Sequence, residues 1–195
     1  TRLDMKKILI GTHNKGKFKE IACLISKKYK KISPVFLKIK SPKETGKSFI
    51  SNSKLKVNFF SKHVDYCVIS DDSGLCIKAL NNKPGIYSAR LAKKHGSFFK
   101  AMKFILKKME KKKNRKATFI CSLSYKDLNG KITSTEGRLE GNISNKILGV
   151  RGFGYDPIFI PLKKKITLGQ MSKTKKMKID HRFIAFQKLK KKIKI

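Results

Sequence analysis

Hydrophobic and polar positions predict strands that alternate with helices in the first part of the chain. The apolar run 8–10 predicts a short strand, and residues 67–70 predict a second one. Between these runs, Phe18, Ile21 and Ile25 are spaced so that they share one face of a helix. This order of elements indicates a mixed α/β fold, with helices on both sides of a long central sheet.

The same pattern predicts a helix, a hairpin and a loop further along the chain. Ser97 is suited to cap a helix whose apolar stripe is formed by Phe98, Met102, Ile105 and Met109. Asn129-Gly130 predicts a hairpin, because this dipeptide favours the tight turns that join antiparallel strands. The other predicted elements are a polar turn over 41–47, a helix over 48–62, hairpin strands over 117–125 and 131–143, a glycine-rich loop over 149–156, and a basic helix beginning near Asp180.

The length of 195 residues fits a single domain over 1–195. The charged segment 110–116 is the best candidate for a boundary between two lobes of that domain. No stretch approaches the 18 apolar residues of a membrane span, so we expect no membrane association. The first residues lack the apolar core of a secretory signal, which favours a cytoplasmic protein.

Charge alone suggests a nucleic-acid partner, since 49 Lys and Arg face only 12 Asp and Glu, for a net charge of +37. The positive charge, however, is spread over the whole chain. Only six of the 49 basic residues are Arg, the type that reads guanine and stacks on bases. We therefore expect solvated basic surfaces and no specific nucleic-acid partner.

The four cysteines show neither a Cys-x-x-Cys pair nor a matching histidine spacing. They are interpreted as small buried hydrophobic residues. The histidines His13, His63 and His95, taken one at a time, are surface or packing residues.

A polar block over 70–75 follows the second apolar run and contains two of the scarce carboxylates, Asp71 and Asp72. Paired carboxylates beside a hydroxyl and a glycine suit a divalent cation and a phosphate ester. A solvated turn at the end of a strand explains the same residue types. From this block alone, the metal site and the solvated turn are equally well supported.

A second polar block, 11–17, lies between the first strand and the first helix. Such a turn aims backbone N–H groups and the positive end of a helix dipole at an anion. It lacks the glycine and lysine spacing of a P-loop and the glycine spacing of a dinucleotide fold. A phosphate cradle is therefore possible but generic.

Five short blocks occur in order along the chain. They are Thr12 to Lys17; Glu44-Thr45-Gly46 with Phe49, Asn52 and Lys56; Asp71 to Leu75 with Pro84 to Arg90; Gly152 to Phe159; and His181-Arg182. Together these blocks resemble the inosine triphosphatase-like family, whose members hydrolyse nonstandard purine nucleotides. The resemblance covers the chain from Ile8 to about Leu189.

The resemblance implies hydrolysis of dITP, ITP and XTP to the monophosphate and pyrophosphate, which cleanses the nucleotide pool. It also implies a Mg²⁺ cofactor, a homodimer, and a two-lobed fold with a nucleotide cleft. Water would attack the α-phosphate, and cations with a metal would offset the charge on the leaving pyrophosphate.

The resemblance also assigns roles to residues. Asp72 would bind Mg²⁺ and activate the water, with Glu44 as the second metal carboxylate. The phosphates would be held by Thr12, His13, Asn14, Lys15, Gly16, Lys17, Lys56, Ser73 and Lys176. The base would be recognised by Phe153, Gly154, Tyr155, Asp156, His181 and Arg182, whose donors suit a 6-oxo group and leave adenine unpaired.

The chain departs from the family pattern at five positions. Lys43 and Ser51 stand where acids are common, Gln170 replaces a Glu, Asp180 replaces a Ser, and His13 occupies a frequent glycine position. Two other functions are consistent with parts of the sequence. A Maf-type nucleotide pyrophosphatase shares the general fold, although its Ser-x-Ser-Pro-Arg-Arg start is absent. A basic nucleic-acid-binding protein accounts for the charge, although no binding motif is present.

Overall fold

The computed structural model describes residues 5–195. Its strands are β1 (Lys6–Ile10), β2 (Tyr29–Ile32), β3 (Cys67–Ile77), β4 (Lys83–Pro84), β5 (Lys116–Lys126), β6 (Ile132–Ile143) and β7 (Phe159–Pro161). Its α-helices are α1 (Lys15–Leu24), α2 (Phe49–Phe60), α3 (Ser88–His95), α4 (Phe98–Met109), α5 (Lys173–Lys176) and α6 (His181–Lys190).

The strands form one mixed sheet in the order β2-β1-β3-β5-β6-β7, and β4 pairs with β3. Strand β1 runs parallel to both β2 and β3. Strands β5 and β6 form the predicted hairpin, and Gly130 at its turn has a φ of 83°. The α/β class, with a central sheet and helices, is confirmed.

The chain divides into two compact units. The first comprises the described residues up to Asp72 together with 121–137 and 182–195, and the second comprises 73–120 and 138–181. The divisions fall within β3, β5 and β6 and before Arg182. The segment 110–116, expected to mark a boundary between lobes, lies wholly inside the second unit.

The first unit has an apolar layer on each face of β1. Ile8 and Ile10 pack in one core cluster with Ile21 of α1 and Phe186 of α6. Leu9 points the other way because side chains alternate along a strand, and it packs with Val57 and Phe60 of α2 and with Val68. The predicted stripe of Phe18, Ile21 and Ile25 thus faces the core. Ile25 is the C-cap residue, one position beyond the end of α1.

The second unit has a single large core. The predicted stripe of α4 packs into it through Met102, Ile105 and Met109, and Leu75 and Ile77 of β3 belong to the same cluster. Ser97 caps α4 as predicted, because its side chain accepts a hydrogen bond from the Lys100 N–H. The prediction for this helix is confirmed in both its stripe and its start.

Two interpretations from the sequence are wrong. Strand β3 does not end at the acidic pair but continues to Ile77, where it pairs with β4. Cys23 is exposed and Cys76 is half-buried, whereas Cys67 and Cys121 are buried as expected; none of these four cysteines, all within residues 5–195, is in a disulfide. An apolar local context did not bury Cys23, because it lies on the outward side of α1.

None of the described helices is long and apolar enough to cross a membrane.

Candidate active site

Strand register brings the two polar blocks of the first unit together. Ile10 of β1 lies opposite Ile69 of β3, and the Gly11 N–H donates to the Ile69 carbonyl at 2.7 Å. A Cβ at Gly11 would lie 2.2 Å from the Ser70 hydroxyl oxygen, so only glycine permits this approach. The loop that opens α1 and the acidic pair therefore meet at one point of the sheet.

The acidic pair is buried inside β3. Asp71 is fully buried and Asp72 is 3% exposed, so the interpretation as a solvated turn is wrong. The two side chains point to opposite faces of the strand and have different partners. Two carboxylates buried in succession require compensation from cations or a metal, since an unpaired buried charge is costly.

Asp71 is surrounded by three cationic side chains. Its Oδ2 lies 3.3 Å from Lys17 Nζ and 3.2 Å from Arg182 Nη2, and its backbone carbonyl accepts from Lys56 Nζ at 2.7 Å. Burial raises the pKa of Asp71, but Lys17, Arg182 and Lys56 outweigh it and hold that pKa well below the ordinary value. Asp71 is thus a fixed anion that anchors two lysines.

Arg182 is buried between two carboxylates. Its Nη1 donates to Glu20 of α1 while its Nη2 donates to Asp71. Its guanidinium is 1% exposed. Arg182, expected to donate to the base, is therefore placed in the first unit as a link between α1, α6 and β3.

The pKa of Asp72 is shifted in the opposite direction to that of Asp71. Its Oδ2 accepts a hydrogen bond of 2.9 Å from Asn52 Nδ2. Burial raises its pKa most; Lys17 lowers it, Glu44 raises it, and Asn52 and Lys56 lower it, leaving the pKa at about 6. A carboxylate with a pKa near the working pH is suited to accept a proton from water.

Glu44 lies in the segment before α2 and is half-buried. Its Oε1 is 3.2 Å from Lys56 Nζ. Because its charge also raises the pKa of Asp72, the two carboxylates share one electrostatic neighbourhood. Within residues 5–195, no group of three or more His, Cys, Asp or Glu side chains is arranged to hold a metal ion.

The loop before α1 has the geometry of an N-terminal cap. Asn14 Oδ1 accepts from the Lys17 N–H, and Thr12 Oγ1 accepts from the Asn14 N–H. The first turn of a helix leaves N–H groups without intrahelical acceptors, here those of Lys15 and Gly16. His13 is exposed and its ring nitrogen bonds the Ile39 carbonyl at 2.8 Å.

The second unit carries the expected base-binding loop, which Asp156 holds in shape. Its Oδ2 accepts from the Phe153 N–H at 2.9 Å and from Lys176 Nζ at 2.7 Å. A Cβ at Gly152 would lie 2.1 Å from the same oxygen, and its φ is +71°. Lys176 also lies 4.5 Å from the centroid of the half-buried Phe153 ring. Lys176, expected at the phosphates, is thus paired beside the base loop.

Tyr155 is a core residue of the second unit. It is 3% exposed, its hydroxyl donates to the Ser88 carbonyl at 2.6 Å, and burial raises its pKa. Ser88 Oγ in turn accepts from the Leu75 N–H and donates to the Gly85 carbonyl. The block from Pro84 to Arg90 therefore ties β3 to the base loop. Arg90 lies over the ring of exposed Tyr87, with its guanidinium carbon 4.9 Å from the ring centroid.

Three further expected residues, His181, Ser73 and Gly154, lie in the second unit. His181 is buried and stacks on Phe119 with ring centroids 4.8 Å apart. Ser73 is half-buried in β3 directly after Asp72, and Gly154 has a φ of +63°.

Three residues received no role from the sequence although they contact the expected site residues. Asn52 was recognised only as part of a block, yet it bonds Asp72. Glu20 was not singled out, yet it shares Arg182 with Asp71. Ser88 lies in the block from Pro84 to Arg90, which gave it no role, yet its carbonyl accepts from the Tyr155 hydroxyl. The scarcity of carboxylates in the chain was the signal that could have identified Glu20.

Known proteins are similar to this chain over nearly its whole length. A model described as the Ham1 family matches residues 8–192. The chain is 42% identical over 197 residues to a dITP/XTP pyrophosphatase of Borrelia duttonii, with 96% of each chain covered. It is 40% identical over 192 residues to a dITP/XTP pyrophosphatase of Oceanobacillus iheyensis, with 96% of this chain and 98% of the relative covered.

Solved structures show the same similarity. The Ham1 protein of Staphylococcus aureus superimposes with a TM-score of 0.85 at 35% identity, with 95% of this chain and 97% of the other covered. A HAM1 protein from Coxiella burnetii also gives 0.85, at 30% identity, with 96% and 98% covered.

Proposed function

Because the chain belongs to the Ham1 family, we propose that it hydrolyses nonstandard purine nucleoside triphosphates, dITP, ITP and XTP, to the monophosphate and pyrophosphate. The observation that carries this proposal is the environment of Asp72. It is a buried carboxylate with a pKa of about 6, and it shares its surroundings with Glu44, Lys17 and Lys56. A proton acceptor beside concentrated positive charge is what the hydrolysis of a polyanion requires.

Asp72 acts as the general base. It takes a proton from a water molecule whose oxygen bonds to the α-phosphorus. The bond from that phosphorus to the oxygen it shares with the β-phosphorus then breaks, and this oxygen leaves with the pyrophosphate. The raised pKa supports the role, because the conjugate acid must be neither too weak nor too strong at neutral pH.

The residues fit a Mg²⁺ ion. Asn52 binds Oδ2 of Asp72, and no described group donates to its Oδ1, so an oxygen remains for a cation. Glu44 adds a second carboxylate. Mg²⁺ is commonly held by one or two carboxylates plus waters and substrate phosphates, so two carboxylates suffice on the protein side. When bound, the ion would neutralise charge on the phosphates and on the leaving pyrophosphate.

The phosphates bind at the opening of α1. Lys15 and Gly16 present backbone N–H groups at the positive end of the helix, and this geometry favours anions. Lys17 and Lys56 add charge, and their positions are held because both ammonium groups contact Asp71. Anchored lysines lose less conformational entropy on binding than free ones.

The base is recognised at the loop of Phe153, a half-buried aromatic residue of the type that stacks on purines. Lys176 and Asp156 hold that ring and its loop. Tyr155 acts through this loop and does not touch the base, because its hydroxyl is bonded to Ser88. His181, flat against Phe119, supports the same unit.

Two wider properties belong to the proposal. The enzyme acts in the cytoplasm, where the nucleotide pool is; four cysteines outside any disulfide, including exposed Cys23, suit a reducing compartment. It forms a homodimer, which light scattering after size exclusion tests directly: a single species of about twice 22.3 kDa is expected.

One assay tests the activity. The purified protein is incubated with Mg²⁺ and with ITP, XTP, ATP, GTP or UTP, and pyrophosphate is measured. We expect release from ITP and XTP well above that from ATP. Equal release from ATP and ITP contradicts the selectivity, preference for other nucleotides favours a Maf-type enzyme, and salt-sensitive duplex binding without hydrolysis favours a nucleic-acid-binding protein.

A further inference from the structure

Asn52 joins the two segments that carry the metal carboxylates. It is fully buried in the second turn of α2. Its Nδ2 donates to Asp72 Oδ2 at 2.9 Å, and its Oδ1 accepts from the Gly46 N–H at 2.7 Å. The chemistry of the partners determines the orientation of the amide, since a carboxylate only accepts and an N–H only donates.

The contact with Gly46 is close enough to restrict the loop. A Cβ at Gly46 would lie 2.4 Å from Ser51 Oγ, 2.5 Å from Asn52 Oδ1 and 2.9 Å from the Asn52 backbone nitrogen. Glu44 is two residues before Gly46, so this hydrogen bond positions its backbone, while Lys56 contacts its carboxylate at 3.2 Å. Residues 41–48 have no helix or strand of their own, so few backbone contacts hold them otherwise.

We propose that Asn52 is a positioning residue that clamps the Glu44 loop to Asp72, so that both carboxylates are presented to one divalent cation. The inference rests on the proposed function, because it deepens the metal site of that activity. Asn52 does not contact the substrate in this scheme. Its effect passes entirely through the two hydrogen bonds.

Two substitutions break the clamp from opposite ends. Asn52→Ala removes the amide but keeps the helix, because the Asn52 N–H to Ser48 carbonyl bond is a backbone bond. Gly46→Ala keeps the amide but forces the loop away from it. Substitution of groups that orient metal ligands commonly costs about 10–100-fold in metal affinity or activity. We expect both variants to raise the half-activating Mg²⁺ concentration by about that factor, with a smaller change in KM for ITP at saturating Mg²⁺.

Ser53→Ala is the matched control. Ser53 is the neighbour of Asn52 in α2 and is fully buried, and its hydroxyl bonds the Ile50 carbonyl and Ser124 Oγ, neither of which lies in the Glu44 loop. Its loss breaks these two hydrogen bonds and lowers the thermal stability, but it leaves both hydrogen bonds of Asn52 in place. We expect Ser53→Ala to lower the melting temperature without changing the Mg²⁺ requirement. If all three variants change the Mg²⁺ requirement equally, α2 stability is responsible and the clamp is refuted.

A second readout needs no substrate. Amide exchange followed by nuclear magnetic resonance should show the Gly46 N–H protected in the wild type and exchanging at least about tenfold faster in Asn52→Ala. Mg²⁺ titrated calorimetrically without nucleotide should bind about 10–100-fold more weakly to both clamp variants. Unchanged Mg²⁺ binding in Asn52→Ala and Gly46→Ala overturns the inference. A wild type that protects Gly46 and binds Mg²⁺ but releases no pyrophosphate would refute the proposed function alone.

Discussion

At the scale of single residues, two adjacent aspartates have opposite electrostatic properties. Asp71 lies among Lys17, Arg182 and Lys56, and these cations hold its pKa well below the ordinary value against the opposing effect of burial. Asp72 experiences burial and the charge of Glu44, and its pKa rises to about 6. Lys17 and Lys56 lower the pKa of both residues, whereas Arg182 acts on Asp71 and the charge of Glu44 raises the pKa of Asp72. Asp71 is therefore suited to organise cations and Asp72 to accept a proton.

Asp72→Asn should abolish turnover without destabilising the protein. The general base is lost, which typically costs about 10²–10⁴-fold in rate. Because the folded pKa lies above the unfolded one, stability falls as pH rises between these values, and removing the group relieves that cost. At pH 8 without Mg²⁺, the free energy of unfolding should rise by about 1–3 kcal/mol, measured by urea denaturation. Retained turnover would remove Asp72 from its role.

Asp71→Asn should lower the free energy of unfolding. It leaves Lys17 and Arg182 without their shared carboxylate, and breaking a buried ion pair costs about 3–5 kcal/mol. Because its folded pKa is lowered, Asp71 stabilises the protein above its unfolded pKa of about 3.9, and this contribution is lost as pH falls further. The difference from wild type in urea should therefore be large at pH 7 and smaller near pH 3. A difference independent of pH would contradict this assignment.

Protons and Mg²⁺ should compete for Asp72. Below its pKa of about 6 the carboxyl is neutral and a poor ligand, so apparent Mg²⁺ affinity should fall by up to about tenfold per pH unit. Calorimetric titration of the nucleotide-free protein at pH 5 and pH 7.5 measures this. Equal affinities at the two values would show that Asp72 is not the titrating ligand.

At the scale of elements, one strand, β3, carries both the acidic pair and the core residues Leu75 and Ile77. Asp72 and Ser73 lie mid-strand, and Gly74 follows where the 85–88 turn crosses closely. The Ser88 hydroxyl bonds the Leu75 N–H across this crossing. A strand continued on both sides of the carboxylates holds them more rigidly than a turn at a strand end.

Gly74→Ala should be strongly destabilising. The new Cβ would lie 2.1 Å from the Gly85 carbonyl oxygen and 2.7 Å from Ser88 Oγ. Backbone shifts of this kind cost about 1–3 kcal/mol or more, measurable by chemical denaturation. Gly96→Asn is the control, because nothing lies within 4 Å of that Cβ and Asn tolerates its φ of +86°. Equal effects of both substitutions would show that the close crossing is unimportant.

At the scale of the whole molecule, the chain has a net charge of +37 and few carboxylates. Asp71, Asp72, Glu20 and Glu44 are four of only 12 acidic residues, and all lie in the first unit. The excess positive charge favours encounter with any polyanion. The four carboxylates, in contrast, belong to the candidate active site.

Substrate capture should therefore depend on salt. Raising KCl from 50 to 500 mM screens the encounter between a basic protein and a triphosphate. We expect kcat/KM for ITP to fall by about tenfold or more while kcat changes little, as measured by steady-state kinetics. A kcat/KM that does not change with salt would show that the surface charge has no part in capture.

Local patterns determined most elements in advance. The stripe of α4, its Ser97 cap and the turn at Gly130 depend on neighbours within a few residues, so their chemistry was visible in the sequence. The end of β3 was not, because a strand continues as long as partners are present, and its partners β4 and β5 lie later in the chain.

By itself, the sequence determined the α/β class, the order of the functional blocks and the family they resemble. Only the tertiary structure decided what each polar residue does. It paired Lys176 with Asp156, placed Arg182 between Glu20 and Asp71, and gave Asn52 a role. The physical reason is that a charge's effect depends on burial and on partners up to 162 residues away in sequence, and spacing along the chain does not record these.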